Sequence, residues 1–404
     1  MRWLDLLFAA AVLAATFCGR PAARADDFHW IGAGTGGNTA TDPANPTTQW
    51  NNPANWQEAA APGPGDTPLL PLANAGYVYA QSGQVSGLLV NGPSAQGAYH
   101  IGDGADVTMP PSFCLAAGYS GMGRVLQTGG SLTTIGVVLG GWDVSSGWGS
   151  YELQGGTLAV TGTSSLLDIG YRGTGVFTQT GGTASVQGAM YVGRMGGNGM
   201  LNVGGGTLRV GGLYVGDASS TGALKISNAE TEFQITKMYF GPNSTFTAVP
   251  GTAIRVVGIG PLFFHSSTDE SALEDLEQVT MIFGGDDKLR GALFEVAGRD
   301  FGPTSGAFAH NFTLGSLVVG DAYPVALYLR DDADNGNRSS AEALYVHNLA
   351  VGPGSTLNLG GLNLYYDGWF VNQGTVVGGS PVYVPEPCTM ALIGAGLGLL
   401  VGFR

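Results

Sequence analysis

One block of sequence keeps returning, and a chain that repeats itself at a short fixed interval has few folds open to it. Gly123-Arg124-Val125-Leu126-Gln127-Thr128-Gly129-Gly130-Ser131-Leu132 aligns with the segments beginning at Gly149, Gly175 and Gly199, and loosely with Gly222–Thr231. The starts lie 26, 26, 24 and 23 residues apart. A second element is interleaved, a short apolar run closed by glycine: Leu167-Asp168-Ile169-Gly170, Met190-Tyr191-Val192-Gly193, Leu213-Tyr214-Val215-Gly216 and Met238-Tyr239-Phe240-Gly241. It occurs earlier as Tyr99-His100-Ile101-Gly102 and later as Leu317-Val318-Val319-Gly320 and Leu349-Ala350-Val351-Gly352. Within each run the flanking apolar residues sit two apart and so share one face of a strand. A single unit cannot bury that face alone, whereas stacked units align like with like into a continuous core. The spacing predicts an all-β chain, a parallel β-helix or β-solenoid with coils of about 24 residues. A sandwich or barrel also has period-2 strands, but it does not require a fixed period with Gly-Gly in register.

Composition agrees. The 404 residues include 69 Gly, 44% apolar and only 11% charged, too apolar for a disordered chain and too Gly-rich for long helices. The net charge is −14, and −16 once residues 1–25 are set aside. That balance disfavours nucleic acid and anionic lipid headgroups as partners. Of three Cys, only Cys114 lies between the two termini, so no disulfide framework is expected and Cys114 reads as a small buried apolar residue.

Both ends carry export signals. Arg2, the apolar run Leu6–Phe17 and the small-residue site Ala23-Arg24-Ala25 form a three-part signal peptide over 1–25, with Ala23 and Ala25 marking cleavage before Asp26. At the other end Pro385-Glu386-Pro387 precedes the apolar stretch Cys388–Phe403, and Arg404 closes the chain. The stretch is short for a span of roughly 20 residues, which suits a short transmembrane helix acting as a transient anchor. Residues 384–404 resemble the PEP-CTERM sorting signal of bacteria that make exopolysaccharide. The resemblance implies that Pro385, Glu386, Pro387 and Arg404 are read by an exosortase-type processing enzyme, with contact to the membrane through the tail.

Between these ends, residues 26–80 hold Trp30, Trp50 and Trp56 and read as an N-terminal Trp-rich cap that shields the first coil. This segment resembles the opening of exported solenoid proteins with autotransporter-type strand repeats. Residues 81–260 carry the repeats. Residues 261–300 interrupt them, and Ser267-Thr268-Asp269-Glu270 followed by Leu273, Leu276 and Val279 predicts a short helix. Residues 301–383 read as a C-terminal β-strand module similar to one found in PEP-CTERM proteins.

No catalytic or metal set is expected, and no cofactor. Gly32–Gly37 matches GxGxxG but has no strand before it and no helix after it. Asp331-Asp332-Ala333-Asp334-Asn335-Gly336 with Glu342 nearly has calcium-loop spacing, but Ala333 stands where an oxygen ligand belongs and no helices flank it, so an acidic hairpin loop is expected. The five His lack zinc spacing and no GxSxG elbow occurs. Arg194 and Asp217 follow the apolar-Gly element in adjacent units and read as a surface ion pair. The function these features predict is non-enzymatic: an exported structural protein of the cell envelope or the extracellular polysaccharide matrix, with that polysaccharide as a further partner. A glycan-binding adhesin, marked by aromatics in a row along one face, and a β-helix glycan lyase or hydrolase, marked by converging carboxylates, are the alternatives.

Overall fold

The computed structural model is an all-β parallel β-solenoid of about ten turns with almost no helix. It describes residues 98–109, 114–142, 146–285, 291–335 and 342–385, with short stretches between 27 and 91. The signal peptide over 1–25 and Trp30, Trp50 and Trp56 of the expected cap lie outside the described residues. So does the expected transmembrane helix, apart from Val384 and Pro385 at the start of the tail. No helix among the described residues is long and apolar enough to cross a membrane. The chain forms two compact units, one of residues 1–234 and 239–245, the other of residues 235–238 and 246–404.

In the first unit each coil contributes three inward faces; Leu132, Leu158, Ala184 and Leu208 form the buried column of one, and two more flank it. One stacks Met122–Gln127, Trp148–Leu153, Thr174–Gln179, Asn198–Val203 and Thr221–Ile226 in parallel, so that Val125, Tyr151, Phe177, Leu201 and Leu224 form one buried column. The other stacks Gly136–Leu139, Leu166–Ile169 and the ends of Thr183–Val192 and Thr207–Val215. Leu139, Ile169, Val192 and Val215 occupy successive positions there, all fully buried. The predicted stack of Ile169, Val192 and Val215 is therefore present, at the roughly 4.8 Å spacing of paired strands.

The glycines turn the corners. Gly193 has φ +77°, and a Cβ there would stand 2.0 Å from the carbonyl oxygen of Thr221 in the next coil. Only glycine satisfies both the left-handed backbone and that approach. Polar side chains also enter this interior. Gln127 and Gln179 are fully buried, each donating Nε2 to carbonyls of its own Gly-Gly corner and of the adjacent coil (Thr157 O at 3.0 Å, Thr207 O at 2.9 Å). Tyr151 donates its hydroxyl to Gln127 Oε1 at 2.5 Å.

The second unit keeps the parallel pairing through the segment that breaks the sequence repeat. Thr252–Val257, Val279–Gly284, Leu314–Val319, the end of Glu342–Val351 and Phe370–Asn372 pair in turn, which lines up Ile254, Met281, Leu317, Leu349 and Phe370. A second column runs from Phe263 through Phe294 to Leu329. Ser271–Gln278 is a 3-10 helix whose Leu273 and Leu276 are buried, and it has no side-chain cap bond. The chain then detours at Gly298–Arg299, which pairs antiparallel with Glu342–Ala343. Past this point Phe308, Tyr345, Tyr365 and Val384 share one small core.

Candidate functional site

Two arrangements of polar and aromatic side chains stand out, one in each unit. In the first unit the middle residue of the apolar-Gly element points outward by strand alternation. Its column reads Val138, Asp168, Tyr191, Tyr214, and Tyr239 extends it. Tyr191 and Tyr214 stack at 4.9 Å between ring centroids, and Tyr214 and Tyr239 at 4.6 Å and 7° between planes. The ring faces are spent on one another, which leaves edges toward solvent. Burial pushes the Tyr239 hydroxyl up to about 12 and raises that of Tyr214 as well.

Arg194 closes one end of this column. Its guanidinium lies 4.2 Å from the centroid of Tyr191 and 5.1 Å from that of Tyr171, and Tyr171 stands 6.3 Å from Trp142. The expected pairing of Arg194 with Asp217 does not form. Arg194 donates instead to Asp168 Oδ2 at 2.9 Å, buried rather than on the surface. Asp168 takes a position that tyrosine holds in later coils, which puts a carboxylate within reach of the corner. Asp217 spends its Oδ1 on its own turn, accepting from Ser219 N at 2.7 Å and Ser219 Oγ at 2.8 Å.

In the second unit Glu295 ends the strand Gly291–Glu295, Asp331 follows the strand Ala326–Arg330 one coil on, and Glu342 opens the long strand Glu342–Val351. One carboxylate oxygen from each lies within 4.8 Å of the other two. Glu295 and Glu342 are each 2% exposed, while Asp331 faces solvent. Glu295 Oε1 accepts from the backbone N–H groups of Asp332 and Ala333, at 2.8 and 2.7 Å, and Oε2 has no hydrogen-bond partner. Glu342 Oε1 accepts from Asn335 N at 3.0 Å. Asn335 donates Nδ2 to the carbonyls of Ser267 and His265, at 2.9 and 3.2 Å, and lies 3.3 Å from His265 Nδ1. Its own buried Oδ1 accepts no hydrogen bond. Burial drives His265 down to about 3, so its ring is neutral, and pushes Glu295 up to about 8, with Asp332 and Glu342 adding to the rise.

The near-calcium spacing thus placed Asp331, Asn335 and Glu342 in one loop region, but Glu295 carried no sequence signal. It meets the loop from 37 residues away along the chain. Cys114 begins the strand Cys114–Ala117 and is half-buried rather than fully buried. Of the sorting residues, Pro385 is half-buried directly after Val384, while Glu386, Pro387, Arg404, Ala23 and Ala25 lie outside the described residues. No family model, characterised protein or solved structure matches the chain.

Proposed function

We propose that this protein is an exported, non-enzymatic structural component of the cell envelope or extracellular polysaccharide matrix, delivered by its Pro-Glu-Pro tail through an exosortase-type enzyme. The observation that carries the reading is how the first unit spends its outward side chains: on one another, from coil to coil. The tyrosine column stacks on itself, Arg124 pairs with Glu152 at 3.0 Å, and Arg209 pairs with Glu232 at 2.6 Å. A surface built this way reinforces a scaffold. The two terminal signals supply export and sorting. The test is fractionation of cells producing the full chain, with Pro385, Glu386 and Pro387 replaced by alanine in a second strain. The wild-type chain should reach the envelope or matrix starting at Asp26, and the triple variant should stay behind. Identical fractionation of the two, or an exported chain starting at Met1, would refute it.

A glycan-binding reading has one observation in its favour. Trp369 and Tyr383 in the last coils of the second unit are about half exposed, with Tyr366 and Phe370 beside them, and Tyr366 lies 5.4 Å from Tyr383. Rings with open faces can stack on sugars. Binding of the full chain on a glycan array, lost in Trp369→Ala, would favour this reading. The converging carboxylates of Glu295, Asp331 and Glu342 bear on the glycan-cleaving alternative. They stand closer together than the roughly 5–5.5 Å of a retaining glycosidase, and two of the three are sealed from a polymeric substrate.

A further inference from the structure

We infer that Glu295, Asp331 and Glu342 form a site for one divalent, oxygen-seeking cation, calcium by size and donor set, which ties the loop at 331–335 to the neighbouring coil. Two oxygens on opposite sides of one calcium ion are about 4.8 Å apart, since each bond is about 2.4 Å. One oxygen from each of the three carboxylates meets that bound against both others. The distances alone describe only an acidic cluster. What points to a ligand is the state of Glu295. The side chain is 2% exposed, Oε1 is held by two backbone N–H groups of the loop, and Oε2 is buried with nothing bonded to it.

A carboxylate oxygen sealed from water and left bare is costly unless a proton or a cation meets it. The other two carboxylates of the cluster stand within reach and add to that cost rather than relieve it. Arg330, the register partner of Glu295, forms no ion pair among the described residues. Asn335 supplies a further buried oxygen without a bond, in the loop that Glu295 already holds. The donors are all oxygen. The ring nitrogen that meets this loop, His265 Nδ1, is engaged by the Asn335 amide. Such a set selects a hard cation over zinc or copper. Calcium takes roughly six to eight oxygens, and the exposed side at Asp331 leaves room for water to complete them.

This inference stands independently of the exported structural role. The test is calcium titration of the full chain after chelator treatment, by calorimetry and by thermal unfolding. Saturable binding near one ion per chain and a raised Tm are expected, with weaker binding of magnesium, which demands a tighter octahedron. Glu295→Gln keeps an oxygen for the two backbone N–H groups, so it should fold and bind calcium at least roughly tenfold more weakly. Asp331→Asn, at an exposed position, should weaken binding similarly while leaving the Tm of the calcium-free chain unchanged. A wild-type chain with no heat and no Tm shift in millimolar calcium would overturn the proposal, as would binding that both variants leave intact.

Discussion

Arg194 reaches back across one coil to donate to Asp168 at 2.9 Å, and both groups are withdrawn from water. Removing one partner of such a pair strands the other. Arg194→Leu should cost about 3–5 kcal/mol at neutral pH. Replacing Asp168 and Arg194 together by leucine should restore most of that loss, because no charge is then left buried. Urea unfolding of the two variants measures the difference. A double variant as unstable as the single one would show that the guanidinium acts through its contacts with Tyr171 and Tyr191.

The same pair sets a pH dependence. Burial lifts Asp168 to about 6 despite the pull of Arg194. The folded value lies above the ordinary one, so the folded chain holds this proton more tightly than the unfolded chain does. The stabilisation is therefore complete below about pH 4 and is lost as the pH rises through about 6, a change of up to about 3 kcal/mol. Asp168→Asn removes the titration. The stability of the wild-type chain relative to this variant should fall between about pH 4 and pH 7, and parallel curves across that window would reject the assignment.

Val215 and Asp217 are two residues apart and should respond to substitution by very different amounts. Val215 is fully buried between coils, so Val215→Asp places a carboxylate where nothing can pair with it, at a cost of several kcal/mol. Asp217→Ala loses only the two short bonds within its own turn, worth up to about 1 kcal/mol because that turn is exposed. Equal losses on chemical denaturation would contradict the placing of Val215 inside the stack and of Asp217 in an exposed turn.

Gly193 and Gly196 separate backbone strain from steric contact. Both have positive φ, +77° and +86°, but a Cβ at Gly196 meets nothing within 4 Å, whereas one at Gly193 collides with the Thr221 carbonyl. Gly196→Ala should cost about 1–2 kcal/mol, the left-handed penalty alone. Gly193→Ala should cost clearly more, since the next coil must shift. Comparable melting temperatures for the two variants would show that the corner yields.

The solenoid was legible because its period recurs in side chains that must coincide in space. Ile169, Val192 and Val215 share a column because they share a place in the repeat. The polar exceptions were not legible for the same reason. Arg194 and Asp217 hold equivalent places, but the ion pair joins Arg194 to Asp168, which belongs to a different column. Gln127 and Gln179 are polar, yet they sit inside, where carbonyls of the Gly-Gly corners satisfy their amides. Glu295 was the least visible. It meets its loop through an irregular stretch where no repeat announces which residues become neighbours.

The continuous parallel register of Trp148–Leu153, Thr174–Gln179, Asn198–Val203 and Thr221–Ile226 makes the first unit additive in whole turns. Excising residues 174–197 would bring Leu153-side coils directly against Asn198–Val203, with Tyr151 over Leu201 and every glycine corner still matched to another. Excising a single residue from within Thr174–Gln179 would instead exchange the inward and outward faces of the rest of that strand. Length in this unit can therefore change by duplication or loss of complete repeats, each a small and local event, whereas a single extra residue needs a corner or a bulge to take it up, as between Val186 and Ala189.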